Sequence, residues 1–154
     1  MSQRPTLHVT IVTAQQTVFD GEAEMVIAPG SEGQLGILPR HAPLLTTLAL
    51  GELRIRNNNV DEGIFVAGGF LEVNQGVVTI LADDAERAED IDESHAEEAR
   101  RRAQALKDQA VSPDDSALAA AELERAVGRL RVVESQRQRH GGRRRQMPTE
   151  ELGQ

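Results

Sequence analysis

The sequence predicts an α+β protein: an amino-terminal antiparallel β-sandwich or flattened barrel, followed by a carboxyl-terminal α-helical hairpin. Three observations predict it. Up to about residue 86, short apolar runs alternate with polar residues and are separated by glycine and asparagine. Beyond that point apolar side chains recur every three or four residues, and two dense blocks of opposite charge appear. The 154 residues suffice for one small domain with an appendage, so the chain divides into a sandwich over 1–86, a hairpin over 87–140 and a tail, expected to be disordered, over 141–154.

The strands come first. Leu7, Val9 and Ile11 alternate with His8, Thr10 and Val12, the period of two of a half-buried strand. Further strands are expected at 16–19, 22–28, 35–38, 44–49, 52–57, 63–67, 70–74 and 77–82. Asp20-Gly21, Pro29-Gly30, Asn57-Asn58-Asn59, Gly68-Gly69 and Asn74-Gln75-Gly76 separate them, residues suited to turns that need positive φ. Many short strands at this spacing favour a sandwich or barrel. Aromatic residues make up only 2% of the chain, so its core must be built from Val, Ile and Leu.

The helices follow. Ala99, Ala103, Leu106 and Ala110 fall on one helical face; Ala119, Leu123, Ala126, Leu130 and Val133 fall on one face of a second helix. Asp92 can cap the first, with Ser94 and Glu97 as a capping-box alternative. Between the helices, Ser112 can cap, Pro113 suits the first helical position, and Asp114 and Asp115 suit the positive end of the dipole. An alanine seam lets helices approach closely but buries little apolar area, at about 25 cal/mol per Å². The hairpin is therefore expected to be marginally stable and suited to movement.

The net charge of −8 is unevenly spread. Residues 83–98 hold nine acids and one arginine; residues 125–145 hold eight arginines and one acid. That polarity points to an electrostatic role for the last third. The chain has no cysteine, which excludes disulfides and thiolate metal sites. Its amino terminus lacks the apolar run of a signal peptide, and nothing reaches the length of a membrane span. His8, His41, His95 and His140 lie in four elements without metal-ligand spacing, and phosphate-loop and nucleophile-elbow motifs are absent. Glu32 and His41 lack an accompanying nucleophile or oxyanion donors. An acidic whole without an aromatic stacking platform also argues against nucleic acid. No enzyme and no nucleic-acid binder is expected.

The most distinctive string is Pro29-Gly30-Ser31-Glu32-Gly33-Gln34-Leu35-Gly36-Ile37-Leu38-Pro39-Arg40-His41-Ala42-Pro43-Leu44-Leu45-Thr46. Gly51-x-Leu53-x-Ile55, Gly68-Gly69-Phe70-Leu71-Glu72-Val73, Val78-Thr79-Ile80-Leu81-Ala82 and Leu130-Arg131-Val132-Val133-Glu134 follow in order. Together, over about residues 5–136, these strings resemble the epsilon subunit family of rotary ATP synthases. The resemblance implies a non-catalytic rotor subunit of a proton-translocating complex, peripheral to the cytoplasmic face of a bacterial plasma membrane and touching the membrane only through that complex. It implies a sandwich between the gamma subunit and the c-subunit ring, with Glu32, Gly33 and His41 at that contact. It also implies a hairpin that extends transiently toward the alpha/beta hexamer and inhibits hydrolysis, with Arg131, Arg137 and Arg139 meeting an acidic segment of beta. A free-standing protein-binding module of the same architecture is the alternative.

No cofactor is required by this reading, but regulatory ATP is one implication. Some members bind it through Ile or Leu, Asp, two variable residues, Arg and Ala. Here Ile91, Asp92 and Ala96 match, with Glu86 upstream and Arg125 and Arg129 where the family's phosphate-facing arginines lie; His95 replaces the motif's arginine. A mostly neutral ring in place of a permanent fork-shaped donor is not a conservative exchange.

Overall fold

Eight strands and two α-helices make up most of the described residues, 4–146, in the computed structural model. The strands are β1 (Leu7–Val12), β2 (Thr17–Ala23), β3 (Met25–Gly30), β4 (Gly33–Ile37), β5 (Leu44–Thr47), β6 (Gly51–Asn57), β7 (Val60–Asn74) and β8 (Val77–Arg87). A single 3-10 turn, Ala88–Asp90, leads into α1 (Glu93–Gln109) and α2 (Pro113–Gln146). The β-sandwich followed by a helical hairpin is the α+β class expected.

Strand order is β2-β1-β8-β7-β6-β3-β4, with β5 added on β7 and β2 packed across on β6 to close the layers. Alternation places Leu7, Val9 and Ile11 inside, all fully buried, with Val26, Ile37, Leu53, Ile64, Val66, Leu71, Val78 and Ile80. This aliphatic interior is the core that the scarcity of aromatic residues demands. The sheet is not purely antiparallel: β1 runs parallel to β8, pairing His8–Val12 with Val77–Leu81. The two strands lie far apart in sequence, and their neighbourship is set by closing the sandwich.

Two expected breaks are not breaks. Asp20-Gly21 lies within β2, because Thr13 turns the first hairpin: its Oγ1 accepts the amides of Gln15 and Gln16 at 3.3 Å each. The segment 22–28 is instead divided at Glu24 between β2 and β3. Gly68-Gly69 lies inside one continuous β7, both glycines at positive φ and the register to β8 unchanged across them; β7 pairs with β6 before it and β5 after it. At Gly69, φ is +111° and an added Cβ would sit 2.0 Å from the Leu81 carbonyl oxygen, so only glycine fits.

Asp92 caps α1, its Oδ1 accepting the His95 amide at 3.0 Å, while Ser94 lies inside the helix rather than capping it. Ser112 caps α2 through the Asp115 amide at 3.1 Å. The seam's innermost positions are Ala96 and Ala103 on α1, Ala119 and Ala126 on α2, all buried. They repeat every seven residues, the period of two wrapped helices. Leu106 was expected in that seam but is 56% exposed, because a gap sized for alanine turns leucine out to the rim. α2 continues through His140 and Gly141 to Gln146, where the sequence suggested a tail; extending a helix costs far less than starting one. The rest of the expected tail, 147–154, lies outside the described residues.

Candidate functional site

The hairpin and the end of β8 enclose the first candidate site. β8 delivers Glu86, the 3-10 turn leads to Ile91, the α1 cap is Asp92, and the first turn of α1 presents His95 and Ala96. With Ala99, Ala126 and Arg129 they line a cleft of about 240 Å³. Arg125 does not line that cleft. It belongs to an adjoining groove of about 450 Å³ bounded by Ala99, Arg102, Glu122, Ala126 and Arg129. Six of the seven residues picked for a nucleotide thus converge, and the seventh stands next to them.

Their chemistry is already partly committed. Arg129 stacks over the Phe65 ring at 4.6 Å, and its Nε donates to Glu86 Oε2 at 3.2 Å while Nη2 donates to Asp84. A guanidinium held by two carboxylates has little positive field left for phosphate. The Asp92 carboxylate serves as helix cap, and the His95 ring is exposed. By contrast, Arg102 and Arg125 are exposed and have no ion pair among the described residues. Those two side chains supply the free positive charge of the groove.

The candidate brake residues separate into three situations. Arg131 is exposed and makes no ion pair among the described residues. Arg137 is 58% exposed and pairs with Glu93 on α1 at 2.7 Å and with Glu134 at 3.3 Å; pairs so exposed contribute about 0–1 kcal/mol. Arg139 is only 22% exposed and donates to Glu52 Oε1 of β6 at 2.8 Å. Arg139 is therefore turned toward the sandwich while the hairpin lies on it.

The turn-rich loop splits in two. Glu32 is exposed in the turn between β3 and β4, where Ser31 is tied to Thr47 by an amide-to-carbonyl bond of 3.1 Å and a hydroxyl–hydroxyl bond of 2.7 Å. Gly33 follows with φ of +129° and open space at its Cβ position. His41 lies beyond the other end of β4, its amide donating to Leu38 at 3.0 Å and its Nδ1 to the Ala42 carbonyl at 2.7 Å. The structure does not bring Glu32 and His41 together; five residues of strand, about 16 Å, separate them.

Sequence reasoning missed one surface. On the outer face of the sheet, Phe70 pairs with Leu81, and Leu81 pairs with Val12 on the far side. Phe70 and Leu81 are each 54% exposed, and Leu45, on the same face of β5, is 69% exposed. An apolar stripe across several strands marks an interaction face. The signal was present: large apolar residues at both phases of the β7 and β8 alternation, where one face should be polar.

The comparisons with known proteins fit these features. Residues 6–88 match the family described as ATP synthase, delta/epsilon chain, beta-sandwich domain, and residues 89–134 match its long alpha-helix domain. The ATP synthase epsilon chain of Halorhodospira halophila is 51% identical over 137 residues, covering 87% of this chain and 96% of that one. That of Alkalilimnicola ehrlichii is 47% identical over 135 residues, covering 87% and 96%. Among solved structures, a chain of the Euglena gracilis mitochondrial ATP synthase, in an assembly of OSCP, F1 and c-ring, matches with a TM-score of 0.67 at 24% identity, covering 80% of this chain and 79% of that one. At that identity the match speaks for the fold alone.

Proposed function

The chain belongs to the ATP synthase delta/epsilon family, and from that premise we propose that it is the non-catalytic epsilon subunit of a rotary ATP synthase, joining the gamma subunit to the c-subunit ring and restraining ATP hydrolysis through its hairpin. One observation carries this reading: a fully cored sandwich bears a hairpin held on it largely by polar and ionic contacts. Such an element can leave without unfolding the domain beneath it. The outer stripe of Leu45, Phe70 and Leu81 suits a packed partner such as gamma. The polar turn at Glu32 and Gly33 suits the polar loops of a membrane ring, and His41, beyond the other end of β4, is the third residue proposed for the gamma and c-ring contact. No helix among the described residues is long and apolar enough to cross a membrane; the proposed place is peripheral, on the cytoplasmic face, held by the complex.

In the extended hairpin, Arg131, Arg137 and Arg139 would meet an acidic segment of beta. Deleting residues 91–154 leaves β8 whole, and is expected to raise ATP hydrolysis by the reconstituted complex. Unchanged hydrolysis would remove the brake. Co-purification with gamma separates the rotor reading from a free-standing adaptor, which would not bind it.

A second reading, regulatory ATP in the hairpin groove, is favoured by the convergence of Glu86, Ile91, Asp92, His95, Ala96 and Arg129 on one cleft beside Arg125. The prior engagement of Arg129 and the loss of an arginine at His95 predict weak affinity. Calorimetry with ATP on the full chain and on His95→Arg tests it: tighter binding by the variant is expected, and no heat from either would end the idea.

A further inference from the structure

α2 carries a second stripe beside its alanine seam. Gly128, Val132, Ser135 and Arg139 recur at steps of four, three and four, and this stripe faces the sandwich. Its apolar part is small: Val132 with Phe65, Ala67 and Ala88, flanked by Leu50 and Ile91. One turn further along, a group of polar contacts takes over. Gln136 Oε1 accepts the Gly63 amide at 2.9 Å and Arg139 Nη2 at 2.8 Å. Arg139 Nη1 donates to Glu52 Oε1 at 2.8 Å and to Ser135 Oγ at 2.7 Å.

The sandwich is shaped to receive this group. β8 stops pairing with β7 at Arg87, opposite Ile64, so Gly63 lies one residue past the end of that ladder. Its amide takes a side-chain acceptor from α2 instead. A Cβ on Gly63 would stand 2.8 Å from Arg139 Nη2 and 3.1 Å from both Gln136 Oε1 and Glu52 Oε2. The missing side chain makes the room in which three polar groups converge. Arg139 Nε is buried there without a partner, a cost carried only while the hairpin is docked.

We propose that Glu52, Gly63, Gln136 and Arg139 form a latch that fixes the carboxyl-terminal turns of the hairpin to the sandwich, and that opening it is what makes Arg139 available to a partner. The second half rests on the braking role proposed above. It separates Arg139 from Arg131 and Arg137, which are exposed whether or not the hairpin is docked.

The test uses the full chain and the exchange rate of the Gly63 amide, read by nuclear magnetic resonance. Glu52→Gln removes the charge while keeping the shape, and Arg139→Gln removes the guanidinium and its bonds from the α2 side without altering the sandwich sequence. Each is expected to speed Gly63 exchange roughly tenfold, the size of one lost charge-assisted bond, while the Leu71 and Ile80 amides keep their protection. Unchanged Gly63 exchange in both variants overturns the latch. So does equal loss of protection at Leu71 and Ile80 in Arg139→Gln, which would make Arg139 a support of the sandwich. In the assembled complex, Glu52→Gln is expected to slow ATP hydrolysis and Glu52→Gln with Arg139→Gln to restore it. Faster Gly63 exchange with unaltered hydrolysis upholds the latch and overturns the use of Arg139 as a brake.

Discussion

Replacing Arg129 by methionine keeps the apolar stem over Phe65 and removes the charge. In the structure that charge is 24% exposed and faces Asp84 and Glu86, themselves 36% and 32% exposed. Water reaches both carboxylates, so each pair contributes only about 0.5–1 kcal/mol. The guanidinium over the Phe65 ring adds about 0.5–1 kcal/mol. The sum, about 1.5–3 kcal/mol, is a shift of roughly 10- to 150-fold in hairpin docking. Against the small apolar contact of Val132 with Phe65, that is enough to populate the released hairpin. Urea titration followed by far-ultraviolet circular dichroism reads it, since a marginal hairpin melts once released: Arg129→Met should split helix loss from sandwich unfolding. A double-mutant cycle with Glu86→Gln should return a coupling near 0.5–1 kcal/mol. A single coincident transition at the wild-type midpoint, with coupling near zero, would refute the view that this cluster holds the hairpin.

The Gly69→Ala variant is expected to lose about 3 kcal/mol or more, since φ of +111° and a Cβ 2.0 Å from Leu81 O force β7 and β8 apart; its urea midpoint reports this, and a wild-type midpoint would disprove the close approach at Gly69. His8 holds Glu22 on Nδ1 at 2.8 Å and Asp20 on Nε2 at 2.7 Å, and these bonds, Glu22's first, raise its pKa above the ordinary 6.5. The same bond to His8 is the leading cause that lowers Glu22 below 4.5. The His8 contribution is therefore complete below pH 6.5 and fades as pH rises through its raised pKa; that of Glu22 is present above 4.5 and lost as pH falls through its lowered one. Stability of the β1–β2 edge should peak between those values, and His8→Asn should flatten the decline above pH 6.5 in urea midpoints measured across pH.

Elements with a strong local signal were legible. Leu7, Val9 and Ile11 alternate cleanly and are buried; Asp92 and Ser112 cap the helices where a short polar side chain precedes an apolar period. Signals shared between turns and glycine pairs inside a strand were not. Gly68-Gly69 has the composition of a turn, but its neighbours on β6, β5 and β8 keep the strand continuous through it. For the site, the string from Glu86 to Ala96 is local and its convergence was readable. That Arg129 is neutralised by Asp84 and Glu86 was not, because β8 and α2 are more than forty residues apart.

By itself the sequence determined that a valine-, isoleucine- and leucine-cored sandwich precedes an alanine-seamed hairpin, because alternation and helical period act over a few residues. It determined the family too, through strings of turn residues in fixed order. Only tertiary structure decided which arginines are free. Arg125 and Arg131 stand open, Arg129 and Arg139 are bound to carboxylates of β8 and β6, and nothing local distinguishes them. The reason is that α2 has two faces: one seam is written in its alanines, while the other is defined only by Phe65, Gly63 and Glu52 beneath it.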